Sequence, residues 1–413
     1  MHKNQRLPQE YANRLMVMSP RVKEAFPALE PRPKNGAWKY PVSLPYIAPG
    51  AKENVNRALD RRLISSATST IKDMEEALRD FFQVPTAKAC NTGYASLVIG
   101  LRLGNLGPGD EVLVPSLTMV AVANAVITVG ATPIFVDCAP GKLNPGIEEY
   151  EEKRTEFTKA LVVTYTYGTT VDGKAFRSYC DTNGLVFIED ISEAFGTICD
   201  GQLAGTFGDF GCGSLYANKI ITAGDGGFVI SRHKDAVIFD RATSLTNHAF
   251  VKHHHFVHFD HSGNFKMSGL AAALVTPAIP RTPEVLNHRS FIAQCYRKFL
   301  SDVNHITLME KSEFGPDAPW VFGVECASKG LKDTIRATMA EKYGIETRDY
   351  FFPIHLQPFY QIPGKEPDHL PNAESLGQCG FYLPTHYYLS EDDMLYIANA
   401  VKCGISAFKS MEQ

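Results

Sequence analysis

Between residues 86 and 231 short apolar runs alternate with helix-patterned segments, and few folds accept that order. AKAC (87–90), the run in GPGDEVLVP (107–115), TPIFVDC (132–138), ALVVTYTYG (160–168), LVFIEDI (185–191) and GFVIS (227–231) read as strands. Helical patterns separate most of them: YASLVIGLRLG closing at Gly104, LTMVAVANAVITVG (117–130) and FRSYCDTNG (176–184). Strands whose connections are helices pair in parallel and are covered on both faces. The expected fold class is therefore α/β, with a mostly parallel central sheet covered by helices. Ligands of such sheets sit at the carboxyl ends of the strands, so the chemistry is expected after Cys90, Pro115, Tyr165 and Asp190.

The flanks read differently. Residues 1–40 hold Pro8, Pro20, Pro27, Pro31 and Pro33 and little periodicity, which predicts an irregular extension. Ahead of the first strand, IKDMEEALRDFF places Ile71, Met74, Leu78 and Phe81 on one helix face. Residues 41–279 are expected to form the large α/β domain. Beyond them, GVECASK and the YLP segment suggest strands, while LKDTIRATMAEKYG and SEDDMLYIANAVKCG suggest helices. Residues 280–413 are thus expected to form a smaller α+β domain.

Charge and composition narrow the function. A formal net charge of −4 with no basic stripe or polybasic tail offers no footprint for nucleic acid or a membrane surface. The apolar stretch from Val112 to Val136 is interrupted by Pro115, Asn124, Gly130 and Pro133, so it reads as strand, helix and strand rather than a membrane span. MHKNQRLPQE lacks the apolar core of a signal peptide. Nine dispersed cysteines without C-x-x-C spacing predict reduced thiols and a cytoplasmic location.

Three segments carry the candidate chemistry. In SLYANKIITAGDGGFVIS, Lys219 precedes a turn containing Gly224, Gly226 and Gly227, where backbone and ligand can approach closely. A partly desolvated lysine there suits imine formation, although a surface lysine beside a hairpin would look the same. In FIEDISEAFG, Asp190 emerges at a strand's carboxyl end. A buried carboxylate ~4 Å from a protonated ring nitrogen is worth about 4 kcal/mol at an effective dielectric near 20, before desolvation. A plain helix N-cap is the competing reading. NTGYAS lies between strand and helix, so the N–H groups of Gly93, Tyr94 and Ala95 can point at a phosphate, with the Ser214 hydroxyl beside them. No G-K-[ST] follows and no G-x-G-x-x-G occurs there, which argues against a P-loop and a nicotinamide-dependent dehydrogenase.

From about Pro41 to the C-terminus the ordered motifs ISS (64–66), GPGDEVLVPSLT, ANAVITVGATPIFVD, Tyr167–Gly168, IED with EAFG, GTFGDFGCGS, NKIITAGDGG, GNFKM, ETR, HLQPFY and Leu383–Pro384 resemble the DegT/DnrJ/EryC1/StrS sugar aminotransferases. That resemblance implies a fold-type I enzyme that uses pyridoxal 5'-phosphate, a nucleotide-sugar substrate and glutamate. It implies Lys219 as the Schiff-base lysine, Asp190 on the pyridine nitrogen and Glu193 near the ring's 3-oxygen. Gly93, Tyr94, Ala95 and Ser214 would hold the phosphate. Asn264 matches a residue that reaches the phosphate from a neighbouring subunit, so a homodimer is implied.

NK followed by TAGDGG looks closest to the perosamine-forming branch, which aminates GDP-4-keto-6-deoxymannose for polysaccharide biosynthesis. The alternatives are a UDP- or dTDP-linked 3- or 4-keto sugar, or a catalytically silent regulatory protein on the same fold. The related sugar 3-dehydratases carry histidine where this chain has Lys219. Met119 stands where the family often stacks an aromatic ring on the cofactor. Tyr94 replaces a small hydroxyl residue, Lys266 an arginine and Ser262 a glycine. His258 matches a family histidine near the active-site mouth, and Arg348 is expected to meet the substrate, with an ordinary surface salt bridge as the competing reading. The histidines of KHHHFVHFDH (252–261) lack matched carboxylate or cysteine spacing, and no metal is expected.

Overall fold

The computed structural model describes Tyr11 and residues 18–34, 36–251, 254–361 and 366–412. Seven strands make the main sheet: β1 (Thr86–Cys90), β2 (Glu111–Pro115), β3 (Thr132–Val136), β4 (Thr158–Thr164), β5 (Val186–Asp190), β6 (Phe210–Ser214) and β7 (Gly227–Ser231). Their order is β1-β7-β6-β5-β4-β2-β3. The run from β3 to β6 is parallel, as the alternation requires. β7 runs antiparallel to both β6 and β1, and among the described residues β1 pairs with no other strand. β6 and β7 are buried along their whole length, as expected of strands covered on both faces.

The helices follow their patterns with local corrections. The helix Ser69–Phe82 buries Ile71, Met74, Leu78 and Phe82, whereas Phe81 is half-buried and stacks on Phe195 with ring centroids 5.2 Å apart. The helix Gly93–Leu103 ends at Gly104. The segment from Leu117 becomes helical only at Ala121. Its first residues form a turn instead, because the Leu117 carbonyl accepts the Thr166 hydroxyl at 3.3 Å. β4 stops at Thr164, and Thr166–Gly168 forms a tight turn with Tyr167 at φ 57°. The stretch 112–136 is strand, helix and strand, and no helix among the described residues is long and apolar enough to cross a membrane.

A second, antiparallel sheet follows the long helix Thr282–Leu300. Its strands β8 (Ile306–Leu308), β9 (Phe322–Cys326), β10 (Arg348–Asp349) and β11 (Gly380–Leu383) lie in the order β8-β9-β11-β10. The helices Lys329–Tyr343 and Glu391–Glu412 pack on each other beside it. Of the N-terminal extension, residues 1–10, 12–17 and 35 lie outside the described residues; the rest includes a helix, Pro20–Ala25, where the proline content suggested none. Ser19 caps that helix and Pro20 takes its first position, which needs no N–H.

Adjacent carboxylates on β5 meet opposite faces. Glu189 is fully buried and accepts the Tyr165 hydroxyl at 2.5 Å, Gly205 N–H at 2.8 Å and Gly208 N–H at 2.6 Å. It fastens the loop before β6 to the sheet. Each orphaned buried donor costs about 1–3 kcal/mol. Glu189→Leu is therefore expected to destabilise the protein by about 3 kcal/mol or more, read as a lower urea midpoint.

Candidate active site

The carboxyl ends of β1, β5 and β6 and the turn before β7 converge on Lys219. Its Nζ lies 3.5 Å from Glu193 Oε1 and 3.9 Å from the centroid of the Trp320 ring. Its side chain is 13 % exposed, so the amine is sheltered but open on one side. The cation over an indole face gains quadrupole attraction that grows as water is excluded.

The Lys219 partners are themselves fixed. Glu193 Oε2 accepts the Tyr167 N–H at 2.8 Å. Trp320 donates its indole N–H to the Asn218 carbonyl at 2.7 Å and its backbone N–H to the Tyr167 carbonyl at 2.9 Å. Gly168, at φ 84°, allows this closure: a Cβ there would lie 2.5 Å from Trp320 N. Tyr382 packs against both Tyr167 and Trp320. Sequence reading missed Trp320 and Tyr382. Their only sign was an aromatic residue in each of two segments flanking or forming small-sheet strands.

Asp190 is 7 % exposed at the end of β5. One oxygen accepts the Ser192 N–H at 2.9 Å, and Lys219 is close enough to favour its charged form. Burial nevertheless pushes both Asp190 and Glu193 above the usual carboxyl range, against the opposing pull of Lys219. Two buried carboxylates facing one lysine leave the site short of positive charge. A protonated pyridine nitrogen against Asp190 would supply it.

The anion cradle is built by close approach. A Cβ on Gly93 would lie 2.6 Å from Ser214 Cβ, and one on Gly227 would lie 2.3 Å from the Thr92 carbonyl oxygen. The helix Gly93–Leu103 therefore begins directly beside the Ser214 hydroxyl. Thr92 caps it by accepting the Ala95 N–H at 3.0 Å, so Gly93 and Tyr94 retain the outward N–H groups. The N-terminal dipole and these donors suit a phosphate. Amine, buried carboxylate and cradle together fit pyridoxal phosphate.

The remaining candidates lie at varying remove. Met119 is 51 % exposed in the turn after β2. Asn264 is exposed, and its backbone carbonyl accepts from Asn91 at 3.1 Å, next to the cradle. His258 contacts the His248 carbonyl through Nδ1 at 2.8 Å and lies 4.6 Å from the Phe250 ring. Arg348 pairs with Glu346 at 3.1 Å and interacts with Tyr382, which places it one side chain behind Trp320. Lys252 and His253 lie outside the described residues.

The raised Asp190 carboxyl has a consequence for stability. A carboxyl whose folded value exceeds its unfolded one stabilises the fold while protonated, and that contribution fades as pH rises through the folded value. Asp190→Asn is expected to raise the melting temperature of the cofactor-free protein at neutral pH. The gain should vanish below about pH 4, near the unfolded aspartate value. Calorimetry across pH measures both.

The profile of the DegT/DnrJ/EryC1/StrS aminotransferase family matches residues 45–402. The chain is 31% identical over 361 residues to GDP-perosamine synthase of Escherichia coli O157:H7, covering 87% of this chain and 97% of that one. It is 32% identical over 356 residues to GDP-perosamine synthase of Caulobacter vibrioides, covering 86% and 95%. The aminotransferase TlmJ from Streptoalloteichus hindustanus superposes with a TM-score of 0.82 at 26% identity, over 90% of this chain and 100% of that one. The sequence, the α/β fold and the lysine-centred site agree: this chain belongs to the DegT/DnrJ/EryC1/StrS family of pyridoxal-phosphate-dependent sugar aminotransferases.

Proposed function

We propose that the protein transfers the amino group of glutamate to C4 of GDP-4-keto-6-deoxymannose, forming GDP-perosamine for glycan assembly in the cytoplasm. The support is the similarity to GDP-perosamine synthases from three bacteria along nearly their whole length. Relatives named for dTDP- and UDP-linked sugars match over a smaller share of their own chains.

Bound pyridoxal phosphate supplies an electron sink and a carbonyl carbon that accepts an amine. Lys219 Nζ would anchor the cofactor and, as a free amine, would act as the base that takes the proton from the Cα of glutamate and returns it on the far side of the transfer. Glu193 Oε1, 3.5 Å away, holds that nitrogen on the open side of the Trp320 ring. Asp190 keeps the ring nitrogen protonated. Gly93, Tyr94 and Ser214 would hold the phosphate, while the Ala95 N–H, taken by Thr92, shapes the turn. Met119 would offer a polarisable thioether to the cofactor. His258 and Arg348 meet the nucleotide sugar, and Asn264 extends towards the phosphate of a second subunit in a homodimer. Proton transfer by Lys219 is the chain's main contribution beyond positioning.

A regulatory protein on the same fold is the reading from another class, and one relative from Geobacillus stearothermophilus is named a pleiotropic regulatory protein. The buried Lys219–Glu193 contact beside Asp190 favours the enzyme.

Incubation with glutamate and a panel of GDP-, UDP- and dTDP-keto sugars, followed by mass spectrometry, is expected to yield an amino sugar from the GDP substrate. Conversion of only a UDP or dTDP substrate would sink the GDP assignment. Lys219→Ala should lose turnover by roughly 10⁴-fold or more and the visible absorbance of the lysine-linked cofactor.

A further inference from the structure

The alignment to the E. coli relative leaves 13% of this chain unmatched but only 3% of that one, and the family profile begins at residue 45. Residues 18–26 thus lie ahead of the part that the family profile matches. Its described part is docked rather than loose. Met18, Val22 and Ala25 pack on Leu356, and Phe26 meets the Phe352 ring edge-on at 6.1 Å. Lys329 Nζ donates to the carbonyls of Glu24 at 3.0 Å and Phe26 at 2.8 Å.

Beneath this strap runs a polar chain, half-buried at Arg21 and Glu374 and buried at His355 and Ser116. Arg21 Nε lies 3.3 Å from Glu374 Oε2, an ion pair without hydrogen-bond alignment. Glu374 Oε1 meets His355 Nε2 at 3.3 Å, and His355 Nδ1 meets Ser116 Oγ at 2.6 Å. A carboxylate on Nε2 fixes the proton there, so Nδ1 accepts the serine hydroxyl. The order serine–histidine–glutamate resembles a hydrolytic triad, but Ser116 and His355 are buried, which denies a substrate access. The chain serves position instead. The Ile354 N–H donates to the Ser116 carbonyl at 2.8 Å, and Ser116 opens the turn that carries Met119.

We propose that Arg21 is a positioning residue: through Glu374 and His355 it fixes Ser116 and thereby the turn that presents Met119 to the cofactor. The proposal rests on the assignment of Met119 to the cofactor face. It makes the strap an added support for a thioether, which grips a ring less strongly than a stacked aromatic does.

The test uses the full-length holoenzyme. Arg21→Ala is expected to raise the dissociation constant for pyridoxal phosphate about 5-fold and to lower kcat roughly 10-fold, since small displacements near the reacting atoms are costly. The visible absorption band should shift, while KM for glutamate stays nearly constant. Arg21→Lys should restore most of the band position. Lys329→Ala loosens the strap without touching Glu374 and should lower the melting temperature while leaving the band in place.

If Arg21→Ala lowers only the melting temperature, or if Lys329→Ala shifts the band equally, Arg21 is packing and the proposal fails. Should Arg21→Ala fail to fold, Glu374→Gln takes its place: it keeps an acceptor for His355 but loses the ion pair. An unchanged band in Glu374→Gln would equally overturn the proposal. Failure of the underlying assignment looks different: Met119→Ala would then leave cofactor affinity and band untouched.

Discussion

The site depends on a cation and an anion kept together where water is scarce. Lys219 and Glu193 lie 3.5 Å apart against the face of Trp320, and neither is free to drift, because Tyr167 holds both the carboxylate and the tryptophan backbone. A buried pair adds little net stability, since desolvation offsets attraction. What it does provide is a single orientation for the amine. The positive φ of Tyr167 and Gly168 is part of the same arrangement, for only that tight turn lets β4 end where Trp320 can close over it.

The large sheet supplies the frame and the small sheet the cover. Parallel strands deliver Asp190 and the helix at Gly93 to one edge. The antiparallel β7 lets the segment carrying Lys219 double back between β1 and β6. Trp320 and Tyr382 then arrive from beside and within the second sheet to close the aromatic wall. The catalytic edge is thus made by residues far apart in sequence, brought together by topology rather than by one motif.

Much of this was legible in the residues. Alternating apolar and helical periods predicted the strands, because burial on both faces leaves an unmistakable continuous apolar run. That Asp190 ends a strand and is buried was legible from its place after such a run. Glu189, one residue earlier, is equally buried but faces the loop before β6, and parity along the strand alone distinguishes them. Trp320 could not be read, since an aromatic in a loop before a strand has no period to announce it. The Thr92 cap was open to reading, since a threonine before a helix is a common N-cap, and it takes the Ala95 N–H that was expected to face a phosphate. The helix at Pro20–Ala25 was hidden by its prolines, although a proline at the first helical position is favourable.

The isolation of β1 bears on how the chain is made. It emerges early in synthesis, yet among the described residues its one partner in the sheet is β7, whose last residue, Ser231, pairs with Thr86. Until the later strand leaves the ribosome, the edge carrying Cys90 and Thr92 has no template, and such distant pairing is slow. The parallel ladders among β3, β2, β4, β5 and β6 need no residue of β7. The closing strand also reaches the candidate anion cradle, for Gly227 at its start leaves no room for a side chain beside the Thr92 carbonyl: the two ends of the candidate site are joined across one ladder.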